Sequence, residues 1–97
     1  MSDWYLYMAR CHDGSLYTGI STDVERRFAE HQGNGVSGSK YLRSRGPLTL
    51  VFKKRLGTRS LALKAERKVK KLSRERKESL IGVPGYFEGI VRRIQTP

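Results

Sequence analysis

Three tyrosines, an arginine and a histidine stand close together near the start of this sequence: Tyr5, Tyr7 and Tyr17 in WYLYMARCHDGSLYTG, then Arg27 and His31 in DVERRFAEH. A guanidinium is a planar, permanently charged fork that matches a phosphate, and an imidazole titrates near neutral pH. Phenols exchange protons as well, although with an ordinary pKa near ~10 they act as bases only where nearby cations favour the phenolate. Brought to one place, these groups would bind a phosphate and move a proton beside it.

Whether they meet depends on the hairpin that carries the tyrosines. Trp4 to Cys11 and Leu16 to Ile20 are strand-forming runs on either side of Asp13-Gly14, a strong hairpin signal. Register matters here, because a slip of one residue moves a side chain to the other face. A two-residue loop, Asp13-Gly14, sets Tyr17 opposite Arg10 and away from Tyr5 and Tyr7. A three-residue loop, His12-Asp13-Gly14, sets it opposite Ala9, so that Tyr5, Tyr7 and Tyr17 share a face. The longer loop is favoured, since Gly14 then falls at the position that needs positive φ and His12 is only a turn residue.

The next segments supply helices and a third strand. Thr22 to Glu25 matches a capping box, in which a hydroxyl and a carboxylate three residues on satisfy the free amides of a helix start. The helix is predicted from Asp23 to Gln32, with Glu25 as the capping acid and Arg26 facing solvent. Val24, Phe28 and His31 fall within about 60° of one another on its wheel, and Arg27 lies on the flank of that stripe. Leu48 to Lys53 is an apolar run of strand length after Gly46-Pro47, with Lys53, Lys54 and Arg55 at its exit. Leu61, Ala65, Val69 and Leu72 recur at helical spacing and predict a helix from Ser60 to Leu72. Glu66 sits at the border of that stripe, beside Ala62, four residues before Lys70; such a pair contributes roughly 0.3–0.5 kcal/mol as a surface contact. Ser73 caps a shorter helix ending near Ile81, closed by Gly82 with Pro84 beyond. The order is β-β-α-β-α-α: an α+β domain over residues 1–85, with a three-stranded antiparallel sheet flanked by helices. Residues 86–97 alternate weakly and are expected as an extended edge segment or a partly disordered tail.

Bulk properties narrow the partners. A chain of 97 residues supports one modest core, with no room for a separate binding module. Lys and Arg number 20 against 9 Asp and Glu, and 15 of those bases with only 2 acids lie between Lys40 and Lys77, leaving 5 bases and 7 acids elsewhere. A one-sided positive field predicts a polyanionic partner, nucleic acid first, and no amphipathic helix pairs those charges with the large apolar face a membrane surface requires. The glycine-serine stretch GNGVSGS, followed by Lys40, Tyr41, Arg43 and Arg45, reads as a surface loop or as a phosphate-contacting rim. Cys11 is the only cysteine, so neither an internal disulfide nor a cysteine zinc site is available. With no secretory signal at Met1-Ser2-Asp3 and no run approaching the ~18 apolar residues of a membrane span, the expected location is the cytoplasm.

Taken together, Tyr5-Leu6-Tyr7, Tyr17-Thr18-Gly19 and an Arg27 in the following capped helix resemble the GIY-YIG nuclease family, over residues 4 to about 81. The likeness is to small stand-alone bacterial members, with Tyr5-Leu6 in place of Gly-Ile and Thr18 in place of an aliphatic residue. The resemblance implies hydrolysis of phosphodiester bonds, in DNA rather than RNA, as in repair or the processing of structured DNA. It implies catalytic roles for Tyr7, Tyr17 and Arg27, and His31 joins them as a proton-handling or phosphate-contacting group. It also implies that Glu66 is the single protein ligand of a catalytic Mg²⁺ or Mn²⁺. Which of Tyr7 and Tyr17 activates the water is left open. A late Asn that contacts phosphate in many members has no counterpart, since Asn34 lies before the third strand; the backbone or a base such as Lys70 would replace it. Targeting would then rest on the shape of the DNA or on a partner protein. The alternative is a catalytically weak nucleic-acid-binding module of the same fold.

Overall fold

The computed structural model describes residues 3–33 and 48–95, with the side chains of 31–33 outside that description. The predicted contacts of Lys40, Tyr41, Arg43 and Arg45 lie outside the described residues. Strands β1 (Trp4–Arg10), β2 (Leu16–Ser21) and β3 (Thr49–Gly57) form one antiparallel sheet in the order β2-β1-β3. Helix α1 (Val24–Gly33) follows β2, and α2 (Arg59–Lys70), α3 (Arg74–Gly82) and α4 (Tyr86–Gln95) follow β3.

The hairpin takes the three-residue loop. Ala9 pairs with Tyr17 and Arg10 with Leu16, and Gly14 adopts φ 88°, a conformation that strains any residue with a Cβ. The Cys11 N–H donates to the Ser15 carbonyl at 2.8 Å and Asp13 Oδ1 accepts from the Ser15 N–H at 3.0 Å, closing the turn on itself.

Three boundaries differ from the sequence expectation. Helix α1 is capped by Asp23, whose Oδ1 accepts from the Arg26 N–H at 3.2 Å, so the start lies one residue later than the Thr22–Glu25 box implied. Glu25 is thereby freed from capping and forms an ion pair with Lys53. Strand β3 continues through Lys53, Lys54 and Arg55 to Gly57, because register shifts at Trp4/Tyr5 and Met8/Ala9 let it bend along β1 beyond its apolar run. Residues 86–95 are helical: Phe87, Ile90, Val91 and Ile94 recur at i, i+3, i+4 and i+7, a pattern that Gly89 in the middle obscures.

Helices α2, α3 and α4 contribute to the core against one face of the sheet. Leu6 and Met8 of β1 meet Ala65 and Val69 of α2, Leu80 of α3, and Phe87 and Ile90 of α4. Phe87 also stacks edge-on against Phe52, with centroids 5.2 Å apart and planes at 73°. Removing a buried Phe ring costs about 3–5 kcal/mol, so α4 is part of the core that holds the sheet, not an appendage. The buried stripe of α2 is Ala62, Ala65 and Val69, with Leu61 only half buried; Thr58 caps the helix by accepting from the Leu61 N–H at 3.2 Å. Ser73 caps α3 as expected, accepting from the Arg76 N–H at 3.2 Å.

A candidate active site on the tyrosine face of the sheet

The other sheet face carries the chemistry-bearing residues. Paired residues on antiparallel strands share a face, so Gly19, Tyr7 and Lys53 form one row across the sheet and Ser21, Tyr5 and Arg55 the next. Tyr7 is 1% exposed at the centre of this arrangement. Its hydroxyl is placed by a missing side chain: a Cβ on Gly19 would stand 2.6 Å from it. Only glycine at that position lets the Tyr7 ring lie across β2.

Tyr17 joins it from β2, with ring centroids 6.4 Å apart and planes inclined at 46°. Tyr17 is half buried and packs beside Cys11, Leu48 and Phe28, the last from the stripe predicted for α1. Arg27 approaches from α1 and Glu66 from α2. Burial pushes the Tyr7 phenol up to about 12, with further upward pressure from Tyr17 and from the Glu66 charge, while the charge of Arg27 and a hydrogen bond from it pull the other way. Tyr17, Arg27 and Glu66 therefore all bear electrostatically on the Tyr7 hydroxyl.

Glu66 occupies the border position that the helical wheel assigns it, its side chain 20% exposed, and pairs with Lys70 at 3.3 Å. Arg27 remains largely in solvent and pairs with Glu30 at 3.5 Å. His31 lies on α1, one turn beyond Arg27, and its side chain is outside the described residues. Among the described residues, no three His, Cys, Asp or Glu side chains gather to hold a metal. A half-buried carboxylate outside any such cluster suits a hard cation that keeps most of its waters, as Mg²⁺ does, and does not suit a fully protein-ligated soft metal.

Sequence reasoning missed two parts of this face. Lys53 and Arg55 line it, the ammonium of Lys53 lying 5.1 Å from the centroid of the Tyr5 ring and Arg55 pairing with Asp3 at 2.9 Å. Their i, i+2 spacing was visible, but their charge marked the end of an apolar run. Gly19 was visible only as a motif residue; its function as the space for Tyr7 depends on the cross-strand register.

Comparisons with known proteins agree with this fold. The model of the GIY-YIG catalytic domain matches residues 3–79. A UPF0213 protein of Cronobacter sakazakii is 50% identical over 97 residues, covering all of both chains, and the UPF0213 protein YhbQ of Escherichia coli K12 is 48% identical over all of this chain and 95% of its own. Among solved structures, the solution structure of the UPF0213 protein BH0048 from Bacillus halodurans is 42% identical, with a TM-score of 0.55 over 86% of each chain. That of EF2693 from E. faecalis is 39% identical, with a TM-score of 0.58 over 84% of this chain and 88% of its own. With this match over most of its length, and relatives up to 50% identical over the whole chain, the chain belongs to the GIY-YIG catalytic domain family.

Proposed function

We propose that this protein is a divalent-metal-dependent endonuclease that hydrolyses DNA phosphodiester bonds, acting in repair or in the processing of structured DNA. The observation that carries the reading is that the buried Tyr7 hydroxyl, laid over Gly19 and beside the Tyr17 ring, lies within the electrostatic reach of Arg27 from α1 and Glu66 from α2. Mg²⁺ or Mn²⁺ held by Glu66 would supply positive charge to the phosphate and to the departing oxygen. Arg27, exposed at the rim, offers two parallel N–H donors to non-bridging oxygens and costs no proton to stay charged. The negative charge that builds on the phosphate in the transition state is stabilised by this preset guanidinium.

A tyrosine takes the proton from the attacking water. Tyr7 is protonated at neutral pH, so it serves as base only once added positive charge beside Glu66 lowers its pKa. Tyr17 is the second phenol in reach and is more open to solvent. His31 completes the proposed site, and Lys70 or the backbone supplies the phosphate contact that a late Asn makes in many members. Lys40, Tyr41, Arg43 and Arg45 extend the phosphate-binding rim.

The Glu66–Lys70 ion pair favours a second reading, a nucleic-acid-binding module without strong catalysis, in which Glu66 is only a helix partner. Nicking of supercoiled plasmid by the purified protein with Mg²⁺ or Mn²⁺, beside EDTA and Glu66→Ala, separates the two. The nuclease reading expects nicking that needs metal and Glu66 while DNA binding persists in the variant. Equal activity of the wild type and the variant on supercoiled, single-stranded and branched DNA would leave the binding module.

A further inference from the structure

The described cations of the tyrosine face each have an acidic partner: Arg27 pairs with Glu30, Lys53 with Glu25, Arg55 with Asp3 and Lys70 with Glu66. The far flank of α2 is built differently. Lys64, Arg67, Lys68 and Lys71 are exposed, none pairs with an acid among the described residues, and with Ile94 of α4 they line one shallow depression. At 100° per residue Lys64, Lys68 and Lys71 lie about 140–160° round the helix from Glu66, and Arg67 about 100°. The two flanks point to opposite sides of a helix roughly 10–12 Å across.

Like charges gathered without counter-charges repel one another and destabilise the compact state, a penalty relieved when a polyanion settles on them. Lys64, Lys68 and Lys71 advance about 1.5 Å per residue and so form a row ~10 Å long. A nucleic-acid strand advances ~3.4 Å per phosphate along its axis, so a row of this length is commensurate with a short run of successive phosphates. The apolar floor is Ile94 alone, far short of the broad apolar face with which a helix enters a lipid interface. A straight segment seated on the tyrosine face passes α2 on its Glu66 side, and Lys64 and Lys68 face away from it.

We propose that the Lys64–Arg67–Lys68–Lys71 flank is a second phosphate-binding surface, holding the backbone of a second nucleic-acid segment while the tyrosine face holds the first. This rests on the nuclease reading only in taking nucleic acid as the occupant of the tyrosine face. The test uses the full chain in EDTA, so that absence of chemistry and absence of the second surface are distinguishable.

Affinity for a duplex is measured against salt concentration, and recruitment of a second, differently labelled duplex to a bead-held one is scored. Lys64→Gln/Lys68→Gln and Arg67→Gln/Lys71→Gln are each expected to reduce the slope of log K against log salt by about 2, at ~0.9 per lost phosphate contact, and to abolish recruitment. Arg76→Gln/Arg93→Gln removes the same charge from a different depression and is expected to retain recruitment. Unchanged slopes with undiminished recruitment in both flank variants would overturn the proposal, and so would capture of anionic phosphatidylglycerol vesicles or an acidic peptide in preference to duplex. Because all four side chains are exposed and repel one another, both variants are expected to fold with a urea midpoint no lower than that of the wild type, and each double variant checks the other.

Discussion

The hydroxyl of Tyr7 lies over Gly19, 2.6 Å from where a β-carbon on that glycine would stand, and ring atoms of the same tyrosine lie 2.7 and 3.0 Å from it. A methyl group there meets a stiff, buried ring that has no flexible end to give way. Gly19→Ala is expected to cost about 1–3 kcal/mol through overpacking and to displace Tyr7 from Arg27. Urea unfolding reads the first effect and plasmid nicking the second. An alanine variant with wild-type stability and activity would show that the ring has room to move.

Tyr7 also makes an alkaline prediction. Its folded-state pKa, about 12, lies above the ordinary 10.0. Between those values the folded state holds a proton that the unfolded state has lost, so the contribution is complete below pH ~10 and disappears as pH rises through ~12. A two-unit difference corresponds to about 3 kcal/mol. Urea denaturation at rising pH should therefore show a steeper loss in the wild type than in Tyr7→Phe. Parallel curves would mean that the phenol is less isolated from solvent than its burial indicates.

Thr18 is 3% exposed, and its Oγ1 has no hydrogen-bond partner among the described residues. A buried hydroxyl without a partner carries a desolvation penalty that an isosteric methyl avoids. Thr18→Val is expected to gain about 1 kcal/mol, or roughly 4–8 °C in Tm for a domain of this size. A lower Tm would reveal a partner for that hydroxyl.

Arg10, at the end of β1, holds Glu78 of α3 through two bonds of 2.8 and 2.7 Å, and Arg74 donates to the Gly14 carbonyl at 3.0 Å. Together they fasten the hairpin to α3. The bidentate geometry strengthens the pair, but about a third of each side chain is in solvent, so Arg10→Ala should cost only about 1 kcal/mol. The bond from Arg10 holds the Glu78 carboxyl below its ordinary 4.5. Its stabilisation is present above that value and is lost as pH falls through the lower folded-state pKa. Glu78→Gln should remove this part of the acid dependence, measurable as a shallower fall in Tm below pH 4.5.

Local chemistry makes much of this protein legible in its sequence. The hairpin loop follows from Gly14, since few residues other than glycine tolerate its positive φ, and that loop places Tyr7 and Tyr17 on one face. Ser73 announces α3, and helical spacing puts Glu66 beside Ala62 at the border of a buried stripe. The features that local pattern misses are those decided by distant partners. The pattern of α4 is interrupted by Gly89 and makes sense only once Phe87 meets Phe52. Lys53 and Arg55 belong to a strand because β1 pairs with them, although their own propensities argue for an exit. Arg10 and Glu78 are 68 residues apart, and no local pattern joins them.

The sequence by itself determined which groups were available and on which face of its own element each would stand, because the periods of 2 and 3.6 are properties of the backbone. Only the tertiary structure decided that the phenol of Tyr7 crosses the bare backbone of Gly19, within the electrostatic reach of groups from two helices. It also separated the paired cations of the tyrosine face from the row on α2 that has no acidic partner among the described residues. Both outcomes depend on strand order and on how deeply Ala62 and Ala65 seat α2 against the sheet, distances that exist only after the elements have packed.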